Sequence, residues 1–232
     1  MTQEKFSFAD EELSDGRGCH LGRGPLALII SGPAGVGKTT LCRNLVAIHG
    51  DRFAYAVTTT TRPPRSGERD GYDYYFVGRD KFQELLGHNA FYEHATVHGQ
   101  HLYGLTRGEM ERHFSVGHDV LLCMNVQGAM KLHRLAMAES EHFLHGRVVT
   151  IFLLPPDFNE LRTRIQLRES IDEGELRRRM ESIQGELRDS VYYDYLVPPG
   201  SRELALQNLI HIYHAEKMRG SCCGEDGSPR MS

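Results

Sequence analysis

No apolar run in this 232-residue sequence approaches the ~20 residues that a membrane span requires. The first stretch, MTQEKFSFADEELSDG, is acidic and polar, and it lacks the basic and then apolar order of a secretory signal. These two absences argue against a membrane protein and against a secreted protein. The sequence therefore predicts a cytoplasmic protein.

The sequence also lacks the cysteine spacing of a disulfide framework or a zinc site, because its five cysteines are an odd number without a CxxC pair. We expect reduced thiols at Cys19, Cys42, Cys123, Cys222 and Cys223. The formal net charge is −4, which argues against broad nucleic-acid binding. A local basic pocket for a small phosphorylated ligand remains compatible with this charge.

Residues 1–24 and 220–232 mix glycine and charged residues without apolar periodicity, and we expect both to be flexible tails. The chain between them, 25–219, is long enough for one domain whose fold buries roughly 70% of the surface of the unfolded chain. The sequence therefore predicts one domain with two tails.

Three continuous apolar runs are typical of parallel strands that are buried on both faces. The runs are LALII (26–30), VLLCM (120–124) and VVTIFLL (148–154). Apolar residues at helical spacing follow the first two runs, at Leu41, Leu45 and Ile48 and at Met130, Leu132 and Leu135. This order predicts an α/β fold with a parallel sheet flanked by helices. Aromatic and β-branched segments in 55–103 predict a β-rich lobe inserted into it.

The segment SGPAGVGKTTL follows the first predicted strand and opens the first predicted helix, and it fits the P-loop pattern G-x-x-x-x-G-K-[ST]. Its backbone N–H groups would surround an anion, Lys38 would reach the outer phosphates of ATP, and the Thr39 hydroxyl would ligate Mg²⁺. An ordinary glycine-rich turn is the alternative, although both flanks favour the P-loop. The predicted ATP-binding residues are Gly32, Pro33, Ala34, Gly35, Val36, Gly37, Lys38, Thr39 and Thr40.

A second phosphate site is indicated by Arg62 and Arg65, which flank two prolines. Planar guanidinium groups bind phosphate oxygens in a bidentate manner. Tyr74 and Tyr103 could donate phenolic hydrogen bonds to the same phosphate. A solvated loop with surface arginines is the alternative for this segment taken alone.

Taken together, the motifs GPAGVGKTT, TTTTRPPRSGERDGYDYYFV, FYEHATVHG, LYG and NVQG resemble the guanylate kinase family over about residues 26–218. The resemblance implies a P-loop kinase core, a lobe that binds the nucleoside monophosphate (about 55–105) and a helical lid (about 158–182). It implies an enzyme that transfers the γ-phosphate of ATP to GMP with Mg²⁺. ATP and GMP would be its partners, and nucleic acid and membranes would not.

The resemblance also assigns roles to residues. The GMP phosphate would be held by Arg62, Arg65, Tyr74 and Tyr103, and the base by Thr58, Glu93 and Asn125. A carboxylate at Glu93 would accept hydrogen bonds from N1–H and the 2-amino group of guanine, whereas a surface glutamate is the alternative. The phosphate-facing residues of the lid would be Arg164, Arg168 and Arg179, with Lys38 completing the catalytic set. We expect Arg162, Arg177 and Arg178 to be solvated.

The sequence departs from the family pattern within the site. The family's DxDxQG reads Cys123-Met124-Asn125-Val126-Gln127-Gly128, so a thiol and an amide replace two carboxylates. The family's YG[ST] ends in Leu105, where a hydroxyl is lost unless Thr106 replaces it. Pro199 stands in the late stretch that would contact adenine, and the lid's RG[ST] reads Arg168-Glu169-Ser170.

Two alternatives to an ATP:GMP kinase remain open. The first is a related kinase that acts on another phosphorylated acceptor, such as a sugar phosphate or a different nucleotide. The second is a non-catalytic interaction module, because guanylate-kinase-like domains also serve as binding surfaces. The intact Lys38 and Thr39 argue against the module, since a scaffold has no need of a phosphate site.

Overall fold

The computed structural model describes residues 23–97, 101–138, 142–168 and 172–219, apart from the side chains of Val97, Arg164, Leu167 and Arg168. A 3₁₀ turn (Ser190–Tyr192) precedes the last strand. In chain order the helices and strands are β1 (Ala27–Ser31), α1 (Lys38–Ile48), β2 (Phe53–Tyr55), β3 (Thr59–Thr60), β4 (Tyr75–Phe76), α2 (Arg79–Gly87), β5 (Phe91–Val97), β6 (His101–Thr106), α3 (Arg107–Phe114), β7 (Asp119–Cys123), α4 (Val126–Ala138), β8 (Val148–Leu153), α5 (Phe158–Arg168), α6 (Glu173–Asp189), β9 (Tyr195–Val197) and α7 (Arg202–Met218).

The central sheet has five parallel strands in the order β2-β7-β1-β8-β9. Its middle strand, β1, is buried along its whole length. A strand that is covered on both faces has no solvated side, which explains why β1, β7 and β8 read as continuous apolar runs. The predicted runs differ from the observed strands by one residue at most at either end. The expected α/β fold with a parallel sheet is confirmed.

Helices cover both faces of this sheet. Leu28 and Ile30 of β1 pack with side chains of α1 and α7, whereas Ala27 and Ile29 pack with α3 and α4 on the other face. Alternate residues of a strand point to opposite faces, so one short strand serves both cores. Ile48, the last residue of α1, is exposed despite its helical spacing.

A buried polar cluster ties α7 to the edge of the sheet where the strands begin. Asp119, the first residue of β7, accepts hydrogen bonds from the Leu26 N–H (2.6 Å), the Tyr213 hydroxyl (2.8 Å) and Lys217 Nζ (3.0 Å). Lys217 Nζ also donates to the carbonyl of Gly24 at 3.1 Å. These donors compensate the carboxylate for its loss of water.

The inserted lobe is a four-stranded sheet in the order β4-β3-β6-β5, and α2 packs on it. Phe82 of α2 stacks on Phe91 with ring centroids 4.6 Å apart. Phe91 and Tyr92 are both buried. Tyr55 lies in β2 of the central sheet, and the first strand of the lobe begins at Thr59.

Helices α5 and α6 pack against one another through a small apolar cluster of their own, made by Leu161, Ile165, Leu176 and Ile183. Asp172 begins α6 as its N-cap, and its carboxylate accepts from the Glu175 N–H at 2.7 Å. The predicted end of the lid at residue 182 lies inside α6. None of the helices in the described ranges is both long and apolar enough to cross a membrane.

Candidate active site

The turn between β1 and α1 depends on glycines with positive φ. Gly32 has φ +136°, and a Cβ atom there would stand 2.6 Å from the carbonyl oxygen of Leu153 in β8. Gly35 and Gly37 have φ values of +82° and +101°. Only glycine adopts such angles without strain, so the chain can curl tightly before α1 begins. The turn ends at the N-terminus of α1, where unpaired N–H groups attract anions.

Lys38 is the first residue of α1, and its ammonium group folds back over this turn. Lys38 Nζ donates to the carbonyl oxygens of Gly32 (2.6 Å) and Pro33 (3.0 Å). Thr39 and Thr40 follow on the exposed surface of the first helical turn, which has no acidic residue. The predicted ATP-binding stretch therefore forms one continuous feature with a fixed positive charge.

Three of the residues predicted to hold the acceptor phosphate lie together in the lobe. Arg62 Nε donates to the Tyr103 hydroxyl at 3.1 Å, and the Arg62 guanidinium lies 5.3 Å from the centroid of the Tyr74 ring. The Tyr74 and Tyr103 rings are 5.8 Å apart. Burial raises the pKa of Tyr74 to about 12, so its hydroxyl remains protonated well above neutral pH. Arg65 is exposed beside this group.

Glu68 is a member of this cluster that the sequence reasoning missed. Both of its carboxylate oxygens lie 2.9 Å from Arg62 Nη2, and Oε2 also accepts from the Arg65 N–H at 2.7 Å. A carboxylate thus occupies Nη2 of the guanidinium that is predicted to bind a phosphate. The spacing of Glu68, three residues after Arg65 in a tight turn, was the signal that could have revealed it.

Glu93 on β5 is buried rather than exposed, with 7% of its surface accessible. Within the described part of the chain, its Oε2 atom has no hydrogen-bond partner. Burial raises the pKa of Glu93 to about 7, and the charge of Lys131 opposes this rise. The surface alternative for this residue is therefore wrong. An unpaired buried carboxylate oxygen is costly, so this atom is available to a ligand that donates hydrogen bonds.

Glu93 and Asn125 meet at Gly128 in the first turn of α4. A Cβ atom on Gly128 would stand 2.7 Å from Glu93 Oε1 and 3.0 Å from the methyl carbon of Met124. Asn125 Oδ1 accepts from the Gly128 N–H at 2.8 Å and so caps α4. Thr58, partly exposed, holds the lobe through its carbonyl, which accepts from the Tyr75 N–H at 2.9 Å.

Comparison with known proteins adds to this geometry. Residues 25–216 match the sequence profile of the Guanylate kinase family. The chain is 39% identical over 200 residues to the guanylate kinase of Caulobacter vibrioides, covering 86% of this chain and 89% of that protein. It is 38% identical over 191 residues to the guanylate kinase of Geobacter sulfurreducens, covering 82% and 89%.

This chain belongs to the guanylate kinase family. The crystal structure of the guanylate kinase from Anaplasma phagocytophilum is similar to it with a TM-score of 0.66 and 30% sequence identity, covering 84% of this chain and 88% of that one. The fold described above is therefore a P-loop kinase fold.

Strand geometry shows whether Thr106 can replace the hydroxyl that the family's YG[ST] carries where this chain has Leu105. Leu105 pairs directly with Glu93 across β6 and β5, and it is completely buried. Gly104 faces the opposite side, where its Cβ would meet the Phe91 ring at 2.6 Å. Because strand side chains alternate, Thr106 shares the side of Gly104 and does not lie beside Glu93. The guanylate kinase hydroxyl thus has no substitute at Thr106.

Cys123, another departure from the guanylate kinase pattern, ends β7 next to the P-loop. Its sulfur lies 3.4 Å from the sulfur of Cys42 in α1. The neighbouring Cys42 thiol and, more weakly, the charge of Lys38 lower the pKa of Cys123 against the opposing effect of burial. Pro199 is exposed in the segment between β9 and α7.

The predicted lid arginines are described only in part, since the side chains of Arg164 and Arg168 lie outside the described residues. Arg179 on α6 is partly buried and donates from Nε to Glu175 Oε1 at 3.0 Å. The arginines expected to be solvated are all exposed, namely Arg162, Arg177 and Arg178.

The family implies a Mg²⁺ ion, and one residue of this site, Thr39, offers the oxygen ligand that Mg²⁺ prefers. Thr39 is an exposed residue at the start of α1, beside the turn that is predicted to bind phosphate. Mg²⁺ in kinase sites keeps several waters and binds substrate phosphates, so it needs few protein oxygens. Among the described residues no group of three or more His, Cys, Asp and Glu side chains could hold a metal ion. Cys123 offers a sulfur atom instead of an oxygen atom, and a thiol is a poor ligand for Mg²⁺.

Proposed function

We propose that this protein transfers the γ-phosphate of ATP to GMP and releases ADP and GDP. The observation that carries the proposal is the buried Glu93 carboxylate, whose Oε2 has no partner within the described residues. Guanine presents two adjacent donors, N1–H and the 2-amino group, to such a carboxylate. Adenine presents no such pair. The same lobe supplies Arg62 and Tyr103 for a phosphate.

The donor phosphates would lie in the turn from Gly32 to Gly37. Lys38 already directs its ammonium group over this turn by donating to the carbonyls of Gly32 and Pro33. ATP would replace those carbonyls with phosphate oxygens, for which the cation has a stronger attraction. Thr39 would hold Mg²⁺, which would supply positive charge against the negative charge that develops during transfer.

The acceptor would lie across the lobe, with its phosphate on Arg62, Arg65, Tyr74 and Tyr103 and its base between Glu93, Asn125 and Thr58. The second lone pair of Asn125 Oδ1 is available to the 2-amino group, since Gly128 uses the first. On acceptor binding, Glu68 would give up its bidentate contact with Arg62 to the phosphate.

Transfer between the two nucleotides needs positioning and positive charge rather than covalent chemistry by the protein. Lys38, Arg164, Arg168 and Arg179 would surround the transferring group. Because three of them lie on α5 and α6, closure of this hairpin would bring charge to the site and exclude water together. We retain the sequence-based proposal that the enzyme acts in the cytoplasm on these two small molecules.

A coupled assay of ADP release tests this function. The full-length protein would be supplied with ATP, Mg²⁺ and, in turn, GMP, AMP, CMP, UMP and a set of sugar phosphates. We expect GMP to give the highest kcat/KM. Preference for a sugar phosphate or another nucleotide would favour the related kinase, and ATP-dependent transfer to none of them would favour the interaction module.

A paired variant separates the phosphate site from general damage to the fold. Lys38→Ala should abolish transfer and leave the circular dichroism spectrum unchanged, because it removes a charge from the site rather than packing from the core. Lys81→Ala, at an exposed lysine of α2, makes the same substitution elsewhere and should retain activity. Near-normal turnover in Lys38→Ala would contradict the kinase function.

A further inference from the structure

Two cysteine sulfurs lie in contact beneath the P-loop. Cys42 belongs to the second turn of α1, four residues after Lys38, and Cys123 is the last residue of β7. Their Sγ atoms are 3.4 Å apart although the residues are 81 positions apart in the sequence. Cys42 is completely buried, whereas Cys123 is partly exposed, and both are free thiols.

One of the two cysteines stands where this chain departs from the family pattern, because Cys123 occupies the first position of DxDxQG. Bonded sulfurs are about 2.05 Å apart, and these two would need to approach one another by roughly 1.4 Å. The strand that carries Cys123 ends at the predicted nucleotide site, and the helix that carries Cys42 begins there.

We propose that Cys42 and Cys123 form a reversible dithiol–disulfide couple, with a peroxide as the oxidant. The sulfur of the accessible Cys123 attacks one peroxide oxygen, which breaks the O–O bond and gives a sulfenic acid and one water. The sulfur of Cys42 then displaces the sulfenic oxygen as a second water and forms the S–S bond. The two thiols lose two protons and two electrons, and hydrogen peroxide is reduced to two waters.

A disulfide here would act on the machinery of transfer. Cys42 lies one helical turn from Lys38 and Thr39, so drawing Cys42 toward β7 would move the start of α1. Displacements of about 1 Å in a kinase site can lower the rate by up to ~10²-fold. This consequence rests on the proposed function, whereas the formation of the disulfide does not.

The couple can be tested on the full-length chain with Cys19, Cys222 and Cys223 replaced by serine, which leaves Cys42 and Cys123 as its only cysteines. The folded protein would be treated with graded hydrogen peroxide, alkylated with iodoacetamide and digested with trypsin without reduction. We expect a cross-linked pair of peptides, 39–43 and 113–131, which disappears after treatment with dithiothreitol. Absence of this pair, with both cysteines alkylated or overoxidised, would overturn the proposal.

Activity gives the second readout. Peroxide should lower ATP-dependent transfer to GMP by about tenfold to a hundredfold, and dithiothreitol should restore it. Cys42→Ala, which keeps the buried site apolar, should retain basal activity and show no dithiothreitol-reversible loss. A cross-link without any change in rate would overturn the functional half. The peptide map shows whether the disulfide forms even if the protein phosphorylates no acceptor. It requires no substitution of Cys42 or Cys123.

Discussion

The backbone of Gly128 lies against the carboxylate of Glu93, so that a Cβ atom on Gly128 would stand 2.7 Å from Glu93 Oε1 and 3.1 Å from Glu93 Cδ. A methyl group at this position cannot be accommodated unless Glu93 moves. We therefore expect Gly128→Ala to displace the carboxylate and lower kcat/KM for GMP by about tenfold to a hundredfold. The affinity for ATP should change little, and the ratio of GMP to AMP activity should fall.

Gly108→Ala is the matched control for this substitution. Gly108 is also a helical glycine, on α3, and a Cβ atom there would meet nothing within 4 Å. Alanine is the better helix former, so this variant should keep its activity and be slightly more stable. If Gly128→Ala behaved like Gly108→Ala in GMP and AMP assays, Gly128 would have no part in positioning Glu93.

The affinity for guanosine should depend on pH through Glu93. Burial raises the pKa of Glu93 to about 7 in the free protein, with Lys131 opposing, and only the ionised carboxylate accepts from both guanine donors. Binding should therefore weaken as pH falls below 7, by up to about tenfold per pH unit, and reach a plateau above it. Guanosine is used instead of GMP because it has no phosphate group that would titrate in the same pH range. Equilibrium titrations should show this profile in the wild type and a flat, weak one in Glu93→Gln.

Arg62→Ala should weaken GMP binding far more than ATP binding. The guanidinium contacts Tyr103 and Glu68 within the lobe, and charge-assisted hydrogen bonds contribute about 1.5–3 kcal/mol. The dissociation constant for GMP should rise by roughly tenfold to a hundredfold in calorimetric titrations. Arg69→Ala removes the same charge from an exposed position in the same loop and should have a small effect. Equal losses for GMP and ATP would contradict the assignment of Arg62 to the acceptor.

Glu109 should make the protein sensitive to acid. Burial opposes the shift, but the His113 imidazole, 3.4 Å away, and hydrogen bonds from Arg112 and the Val57 N–H lower the pKa of Glu109 to about 2. This folded-state pKa lies below the unfolded value of about 4.3. Glu109 therefore stabilises the folded protein fully above about pH 4.3, and this stabilisation is lost as pH falls toward 2. The contribution is on the order of 2–3 kcal/mol. Urea denaturation at a series of pH values measures it.

Glu109→Gln should lower the free energy of unfolding at pH 7 and make it fall less steeply between about pH 4.5 and about pH 2. Glu181→Gln replaces an exposed glutamate of α6 and serves as the control. Identical acid profiles for Glu109→Gln and the wild type would show that Glu109 is not the group responsible.

Asn125→Asp should raise kcat/KM for GMP. Asparagine and aspartate are equally good N-caps, so the hydrogen bond from the Gly128 N–H should survive. The carboxylate would offer the 2-amino group an ionised acceptor, which is roughly twice as strong as a neutral one. Steady-state kinetics with GMP and AMP check this outcome, and a decrease for GMP would place Asn125 away from the base.

The sequence predicted the central strands well because they are buried on both faces and thus carry unbroken apolar runs. It did not separate β2 from the lobe, since a strand of three residues, Phe53–Tyr55, is too short to carry a pattern. The two-residue strands β3 and β4 present the same difficulty. Ile48 continues the helical spacing of Leu41 and Leu45, yet it is 63% exposed because α1 ends there.

Within the site, local motifs predicted the glycine turn and the cluster of Arg62 with Tyr74 and Tyr103. Contacts between distant segments could not be predicted in the same way. Gly128 meets Glu93 across two separate elements, and no spacing in the sequence shows that the glycine is required there. Cys42 and Cys123 are 81 residues apart, and their contact follows only from the pairing of β1 with β7.

The polar cluster around Asp119 also determines where the two ends of the domain emerge. Lys217 joins Asp119 to the carbonyl of Gly24, so both ends of the described chain lie where the parallel strands begin. The phosphate-binding turn lies at the opposite end of β1, about 17 Å away for a five-residue strand. Small labels attached at positions 24 and 219 would therefore stand clear of the nucleotides, and one chain labelled at both positions would report on the base of the sheet rather than on closure of the lobe or lid.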